Sequence, residues 1–265
     1  NFIGFHIKKR SLCLKIYHLK RIFVALMNDT LVIIPIRLKA SRFPNKPFAQ
    51  IGDLPMLHYI YNRVSVFTEN LYLAICDQEV KNYCEKMDLQ YVMTDPDHLS
   101  GSDRIGEAVK KIEEDIKFKY VINVQGDMPF IKENHVNLLK ERLLQFQIST
   151  LACPFINLDE ANNSSKVKVL IDEKNCALDF YRILNNELKV NENIFHHIGV
   201  YGYHKQFLYD FISLHPTKRE LDEKLEQLRI IETNKIGISI VKEEILGVDT
   251  KEDLDRVNRL ILKNE

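Results

Sequence analysis

Four cations and no acidic residue leave an apolar run in the stretch LVIIPIRLKASRFPNKPF (31–48): Arg37, Lys39, Arg42 and Lys46. Arginine offers a planar fork that matches phosphate oxygens, and lysine a compact charge. A loop of this composition, braced by Pro44 and Pro47, is a candidate seat for a polyphosphate. A solvated basic turn accounts for the composition equally well. The chain has neither GxxxxGK[ST] nor GxGxxG, so phosphate charge would be met by side chains rather than by a glycine-rich cradle. Two carboxylates could complete such a site: Asp127 in NVQGDMPFI (123–131) and Asp249 in GVDTKEDL (247–254). A hard cation such as Mg²⁺ is held by one or two carboxylates together with substrate phosphates. Taken singly, Asp127 also reads as a turn residue before Pro129, and Asp249 as an ordinary helix cap.

These groups can meet only if the elements before them end at one edge. LVIIPI (31–36), LYLAIC (71–76), LQYVM (89–93) and KYVINV (119–124) read as strands. Between them PMLHYIYNRVSVF (55–67), DQEVKNYCEKM (77–87) and SDRIGEAVKKIEED (102–115, capped by Ser102) read as helices, and KENHVNLLKERLLQF (132–146) follows as another. Alternation of this kind predicts a doubly wound, mostly parallel α/β sheet, in which ligands sit at the carboxyl ends of strands where strand order reverses. The second half is less regular. STLACPF, KVKVLI and HHIGVYGY predict a smaller antiparallel annex, TKRELDEKLEQLRII (217–231) one amphipathic helix, GISIV a strand and KEDLDRVNRLIL (251–262) a closing helix. NLDEANNSSK (157–166) reads as the loop between the two parts.

The 265 residues carry 37 basic and 37 acidic side chains, a formal net charge of zero, which offers no electrostatic case for a nucleic-acid partner. Residues 1–28 are set apart, with six basic residues and no acid. They read as a basic N-terminal extension of open native status, of which residues 1–26, before Met27, are dispensable; a targeting or membrane-surface segment is the alternative. No apolar stretch is long enough for a membrane span. The five cysteines are scattered without a CxxC pair, the usage of a reduced, cytoplasmic protein.

Six motifs in order, PIRLKASRFPNKPF, MTDPDHLSGSDRIGEA, NVQGDMPFI, HHIGVYGYH, LEQLR and GVDTKEDL, resemble the 3-deoxy-manno-octulosonate cytidylyltransferase (CMP-Kdo synthetase) family from about Leu31 to Leu262. The resemblance implies a nucleotide-diphospho-sugar transferase-like fold in a single domain, 29–265. Residues 29–156 and 236–265 would mainly bind nucleotide, and 157–235 would mainly bind sugar and supply a dimerisation annex. It implies transfer of CMP from CTP to the anomeric hydroxyl of 3-deoxy-D-manno-octulosonate (Kdo), with release of pyrophosphate, for lipopolysaccharide synthesis. Carried onto this chain, Arg37, Ser41, Arg42, Lys46, Arg104 and Gln125 would bind nucleotide, and Asp127 and Asp249 would hold Mg²⁺. Arg37, Lys46, Asp127 and Asp249 would form the catalytic set, while Arg182, His197, Tyr201, Glu226 and Gln227 would surround the sugar. From the residues alone, Arg104 reads as a helix-surface arginine paired with Glu107, and Glu226 as a solvated charge; only the resemblance places them in a site.

The family also implies a cytoplasmic homodimer. The chain departs from the family pattern at Ile36, at Asn45 (commonly Gly), at Met128 (often Glu) and at His196 (usually basic), and ALDFYR replaces ALYFSR at Asp179 and Tyr181. A CMP-sialic acid synthetase, or a nucleotide- or sugar-binding regulator without catalysis, would be the competing readings.

Overall fold

A computed structural model describes residues 29–39, 43–98, 100–183 and 193–263. The basic extension 1–28, with Ser41 and Arg42 of the cationic loop, lies outside the described residues. Eleven strands are present among them: β1 (Thr30–Pro35), β2 (Gln50–Ile51), β3 (Leu54–Pro55), β4 (Leu71–Ile75), β5 (Tyr91–Met93), β6 (Tyr120–Asn123), β7 (Ile148–Cys153), β8 (Lys168–Ile171), β9 (Ala177–Tyr181), β10 (Ile194–His204) and β11 (Ile236–Ile240). The helices are α1 (Met56–Ser65), α2 (Gln78–Met87), α3 (Gly101–Ile112), α4 (Glu133–Leu143), α5 (Leu158–Asn162), α6 (Lys205–Ser213), α7 (Lys218–Glu223) and α8 (Lys251–Leu262). None of them is long and apolar enough to cross a membrane.

The opening apolar run has a physical reason. Leu31 to Ile34 are fully buried, with Val32 and Ile34 in the core on one face of the sheet and Leu31 and Ile33 in the core on the other. A strand covered on both faces needs apolar residues at every position, not at alternate ones. The main sheet runs β11-β7-β10-β6-β1-β4-β5. The chain winds from β1 outward to β4 and β5, then returns to β6 on the other side of β1, all in parallel register. Strand order therefore reverses between β1 and β6, and both the cationic loop and the Gln125–Asp127 segment leave from that point.

The antiparallel part grows from the main sheet itself. β10 runs antiparallel between β6 and β7, and its first residues carry β8, which in turn carries β9. A register break between Ile198 and Tyr201 marks a bulge in β10. The Thr150 hydroxyl fills it, 2.8 Å from the Val200 carbonyl and 3.1 Å from that of Ile198. Bulges re-aim neighbouring side chains, here His197 and Tyr201.

Two local expectations change. The cap of α3 is Ser100, whose hydroxyl accepts the Asp103 amide at 3.1 Å; Ser102 lies inside the helix, where its side chain is buried. Residues 217–231 do not form one helix. α7 stops at Lys224, which adopts a left-handed conformation (φ 54°), and a 3₁₀ turn follows at Glu226–Arg229. Tertiary burial drives the break: Leu225, Gln227, Leu228 and Arg229 all turn inward, which a straight amphipathic helix would not permit.

Arg229 is locked there by Glu220, with its Nη2 2.6 Å from Oε1 and its Nε 3.0 Å from Oε2. Removing one partner of such a buried pair strands a charge away from water. We expect Glu220→Ala to lower stability by roughly 3–5 kcal/mol, read as a fall in the urea unfolding midpoint. A loss below about 1 kcal/mol, the range of exposed pairs, would contradict this.

Candidate active site

The cationic loop is aimed by one residue in an unusual conformation. Asn45 sits at φ 56°, ψ 23°, and Pro47 then starts a 3₁₀ turn over Lys46–Phe48. Asparagine tolerates this left-handed region better than other non-glycine residues, so it can stand where glycine is common. Across the crevice, Gly126 passes close to β1: a Cβ there would lie 2.9 Å from the Pro35 carbonyl oxygen and 2.5 Å from Ile36 Cδ1. Only glycine lets the β6 end approach the β1 end this closely, and that approach places Asp127 opposite Lys46.

Lys46 ties the two candidate metal ligands together. Its Nζ donates to Asp127 Oδ2 at 2.7 Å, to the Val248 carbonyl at 2.9 Å and to Asp249 Oδ1 at 3.4 Å. Asp249 is not the α8 cap. Thr250 takes that role through a reciprocal pair with Asp253, and the Asp249 carboxylate is left to face Lys46. Both carboxylates thus face one ammonium at the switch between β1 and β6. Among the described residues no group of three or more His, Cys, Asp or Glu side chains could hold a metal ion. A two-carboxylate site suits Mg²⁺, which keeps waters and phosphate oxygens for its remaining positions.

The crevice around this point, about 350 Å³, is lined by Arg37, Lys46, Gln125, Asp127 and Asp249, with His98, Gly101, Arg104 and Glu226 on the far wall. Arg37 is exposed at its mouth. Arg104 is neither on the helix surface nor paired with Glu107: it is buried and its Nη1 donates to Thr94 Oγ1. Glu107 instead meets His98 Nε2 at 2.5 Å, the Asp95 amide at 2.8 Å and Lys111 at 2.7 Å. The hydrogen bonds from Lys111, Asp95 and His98 outweigh the opposing burial and hold its carboxyl at about 2. His98 is therefore a braced side chain on the far wall of this crevice.

A second crevice, about 620 Å³, shares Gln125, Asp127, Glu226 and Asp249 with the first and extends toward β10. His197, Tyr201, Gln227 and Arg182 all line it, so the sequence-named sugar residues are brought together. The Tyr201 hydroxyl donates to Gln227 Oε1 at 3.0 Å. Gln227 is buried, and its Nε2 has no hydrogen-bond partner among the described residues. Buried side-chain donors without a partner are uncommon in folded chains, which sets Gln227 apart from its neighbours. Burial drives the His197 imidazole down to about 3, so it is a neutral hydrogen-bonding group at physiological pH. Its Nε2 lies 3.0 Å from Thr150 Oγ1 and its ring meets Phe180 edge-on.

Arg182 is already engaged, with Nε on the Glu223 carbonyl and Nη2 on that of Lys224 at 3.2 Å. The buried Lys168 holds the Arg182 carbonyl at 2.7 Å, so the end of β9 is tied to the turn that precedes Gln227. The unusual Asp179 and Tyr181 serve each other's neighbourhood: Arg219 pairs with Asp179 at 2.8 Å and lies over the Tyr181 ring. Lys166, bridging Glu160 at 2.9 Å and Glu244 at 2.7 Å, forms part of the outer wall with His196. This cluster was not anticipated, because Lys166 and Glu244 are separated by 78 positions.

Residues 31–243 match the family model described as Cytidylyltransferase. The chain is 37% identical over 240 residues to a 3-deoxy-manno-octulosonate cytidylyltransferase of Leptospira interrogans, covering 88% of this chain and 95% of the relative. It is 36% identical over 240 residues to an 8-amino-3,8-dideoxy-manno-octulosonate cytidylyltransferase of Shewanella sp. (strain W3-18-1), covering 86% of this chain and 96% of the relative. Among solved structures, CMP:2-keto-3-deoxy-manno-octonic acid synthetase complexed with CTP superposes with a TM-score of 0.81 at 28% identity, covering 89% of this chain and all of that one.

Proposed function

The chain belongs to the 3-deoxy-manno-octulosonate cytidylyltransferase family, and from that premise we propose how its two crevices divide the reaction. The activity is transfer of CMP from CTP to the anomeric hydroxyl of Kdo: that oxygen bonds to the α-phosphorus, the bond to pyrophosphate breaks, and the hydroxyl proton is released. CTP occupies the crevice at the β1/β6 switch, with Arg37 and Lys46 on its phosphates and Gln125 and Arg104 at its nucleoside side. Kdo occupies the second crevice against His197, Tyr201, Gln227 and the Arg182 clamp. The observation that carries this reading is the convergence of Lys46 with Asp127 and Asp249, two carboxylates that line both crevices.

Asp127 and Asp249 would hold Mg²⁺; when bound, it supplies Lewis-acid polarisation of the reacting phosphate and hydroxyl. Everything else falls to the chain's own side chains. Lys46 and Arg37 offset the charge that grows on the leaving pyrophosphate, and the two crevice walls orient the sugar hydroxyl in line with the phosphorus. Positioning and charge stabilisation suffice, with no covalent intermediate on the protein.

Pyrophosphate release with CTP and Kdo tests the reading. CMP-Kdo should form, and Kdo should outcompete both its 8-amino analogue and a sialic acid. CTP binding without turnover would instead indicate the regulator. Gln227→Ala should raise the apparent KM for Kdo by about 0.5–1.5 kcal/mol for each neutral hydrogen bond lost, leaving CTP affinity measured by calorimetry nearly unchanged. An unchanged Kdo KM would remove Gln227 from the sugar site.

Product use in lipopolysaccharide synthesis and a cytoplasmic location accompany this reading, the latter in keeping with the free thiols of Cys76, Cys84, Cys153 and Cys176 among the described residues. A homodimer through residues 157–235 is supported by Leu178, Ile183 and Leu221, which are 54%, 72% and 63% exposed; sedimentation should give a dimer.

A further inference from the structure

Glu226 lines both crevices, yet its carboxylate is not spent on either. Oε1 accepts the Gly101 amide at 3.1 Å and Oε2 the Ser102 amide at 3.2 Å. These are the first two residues of α3, a twelve-residue helix, where unsatisfied amides and the helix dipole favour a negative group. A second tie runs beside it: Arg229 Nη1 lies 3.9 Å from Asp103 Oδ1 while the same guanidinium is anchored on Glu220. The 3₁₀ turn Glu226–Arg229 and the first turn of α3 are therefore held as one piece.

Each half of that piece bears on a different substrate. Gly101 and Arg104 form the wall of the nucleotide crevice, with His98 just before them. Gln227, next to Glu226, lines the other crevice. We propose that Glu226 is a positioning residue, a clasp that couples the nucleotide wall to the sugar wall, rather than a group that contacts sugar. The proposal rests on the assignment of CTP and Kdo to the two crevices. Binding in one crevice then fixes the wall of the other, and loss of the clasp loosens both.

The sign of one measurement separates this role from the alternatives. If Glu226 were merely a carboxylate near a triphosphate, removing its charge would relieve repulsion and tighten CTP binding. If it were a sugar ligand, CTP affinity in the absence of sugar would not move. With the clasp, Glu226→Gln weakens CTP binding measured by calorimetry without sugar. It also raises the KM for Kdo and lowers kcat, with a coupling of about 5- to 150-fold.

A second variant attacks the clasp from its other side. Gly101→Pro removes one donated amide at the first helical position, where proline is well accommodated. Gly101 is not part of the sugar crevice wall, so a raised Kdo KM in this variant is the signature of coupling. Thermal midpoints within a few degrees of the parent protein show that each variant is folded, and Glu226→Ala provides the same comparison without an amide. Unchanged or tighter CTP binding in Glu226→Gln, or an unchanged Kdo KM in Gly101→Pro, overturns the proposal. Turnover of the unsubstituted protein with CTP and Kdo tests the substrate assignment separately.

Discussion

Asp127→Asn and Asp249→Asn should each lower turnover on the order of 10²–10³-fold, with little change in folding. The two carboxylates lie 2.7 Å and 3.4 Å from a single ammonium, so they address one point, and an amide cannot supply the negative charge that a divalent cation requires there. Their side chains remain 29% and 59% exposed, and neither is embedded in the core, which confines the cost to the chemistry. Initial rates across Mg²⁺ concentrations, alongside urea unfolding, check both halves of the expectation. Near-normal Mg²⁺-dependent rates in both variants would mean that the carboxylates do not share a cation.

Lys46→Ala should weaken CTP binding and slow the chemical step together, by roughly 2–4 kcal/mol if the contact tightens as charge moves to pyrophosphate. In the structure the ammonium faces Asp127, Asp249 and the Val248 carbonyl. A cation held by the two carboxylates would compete for the same oxygens, and the Lys46 ammonium would then turn toward the phosphates. Removing it should have opposite effects on the two ligands: weaker CTP binding, but tighter binding of Mn²⁺ measured without nucleotide, because one positive charge beside the two carboxylates is lost. Calorimetry with CTP and spin-resonance titration with Mn²⁺ distinguish the two. Normal use of CTP by this variant would return the cationic loop to a solvated basic turn.

Much of this site could be read before folding was considered. The run Leu31–Ile36 announces a strand buried on both faces, and the cations that follow it announce a loop at its carboxyl end. NVQGDMPFI places a carboxylate shortly after a strand, and GVDTKEDL places one just before a helix. Such signals are local: burial imposes a period on one segment, and glycine, proline and cap residues punctuate it. Together with the order of the motifs they were enough for the fold class and for the residues at the switch point.

What the one-dimensional pattern could not carry is which distant groups meet. Lys46 lies 81 positions from Asp127 and 203 from Asp249, and their meeting depends on β6 docking beside β1 with Gly126 admitting the approach. Arg104 looked like a surface arginine, because helix periodicity does not reveal a cavity on the other side. The break at Lys224 escaped notice because lysine is not a usual left-handed residue; burial of Leu225, Gln227 and Arg229 compelled it. That same break frees Glu226 from a solvated helix face and delivers it to the α3 amides. The sequence alone determined which residues could do chemistry and which strands would be buried. Tertiary structure decided their partners, since contacts between segments far apart in the chain are set by how two buried faces are filled together, and no local period encodes that.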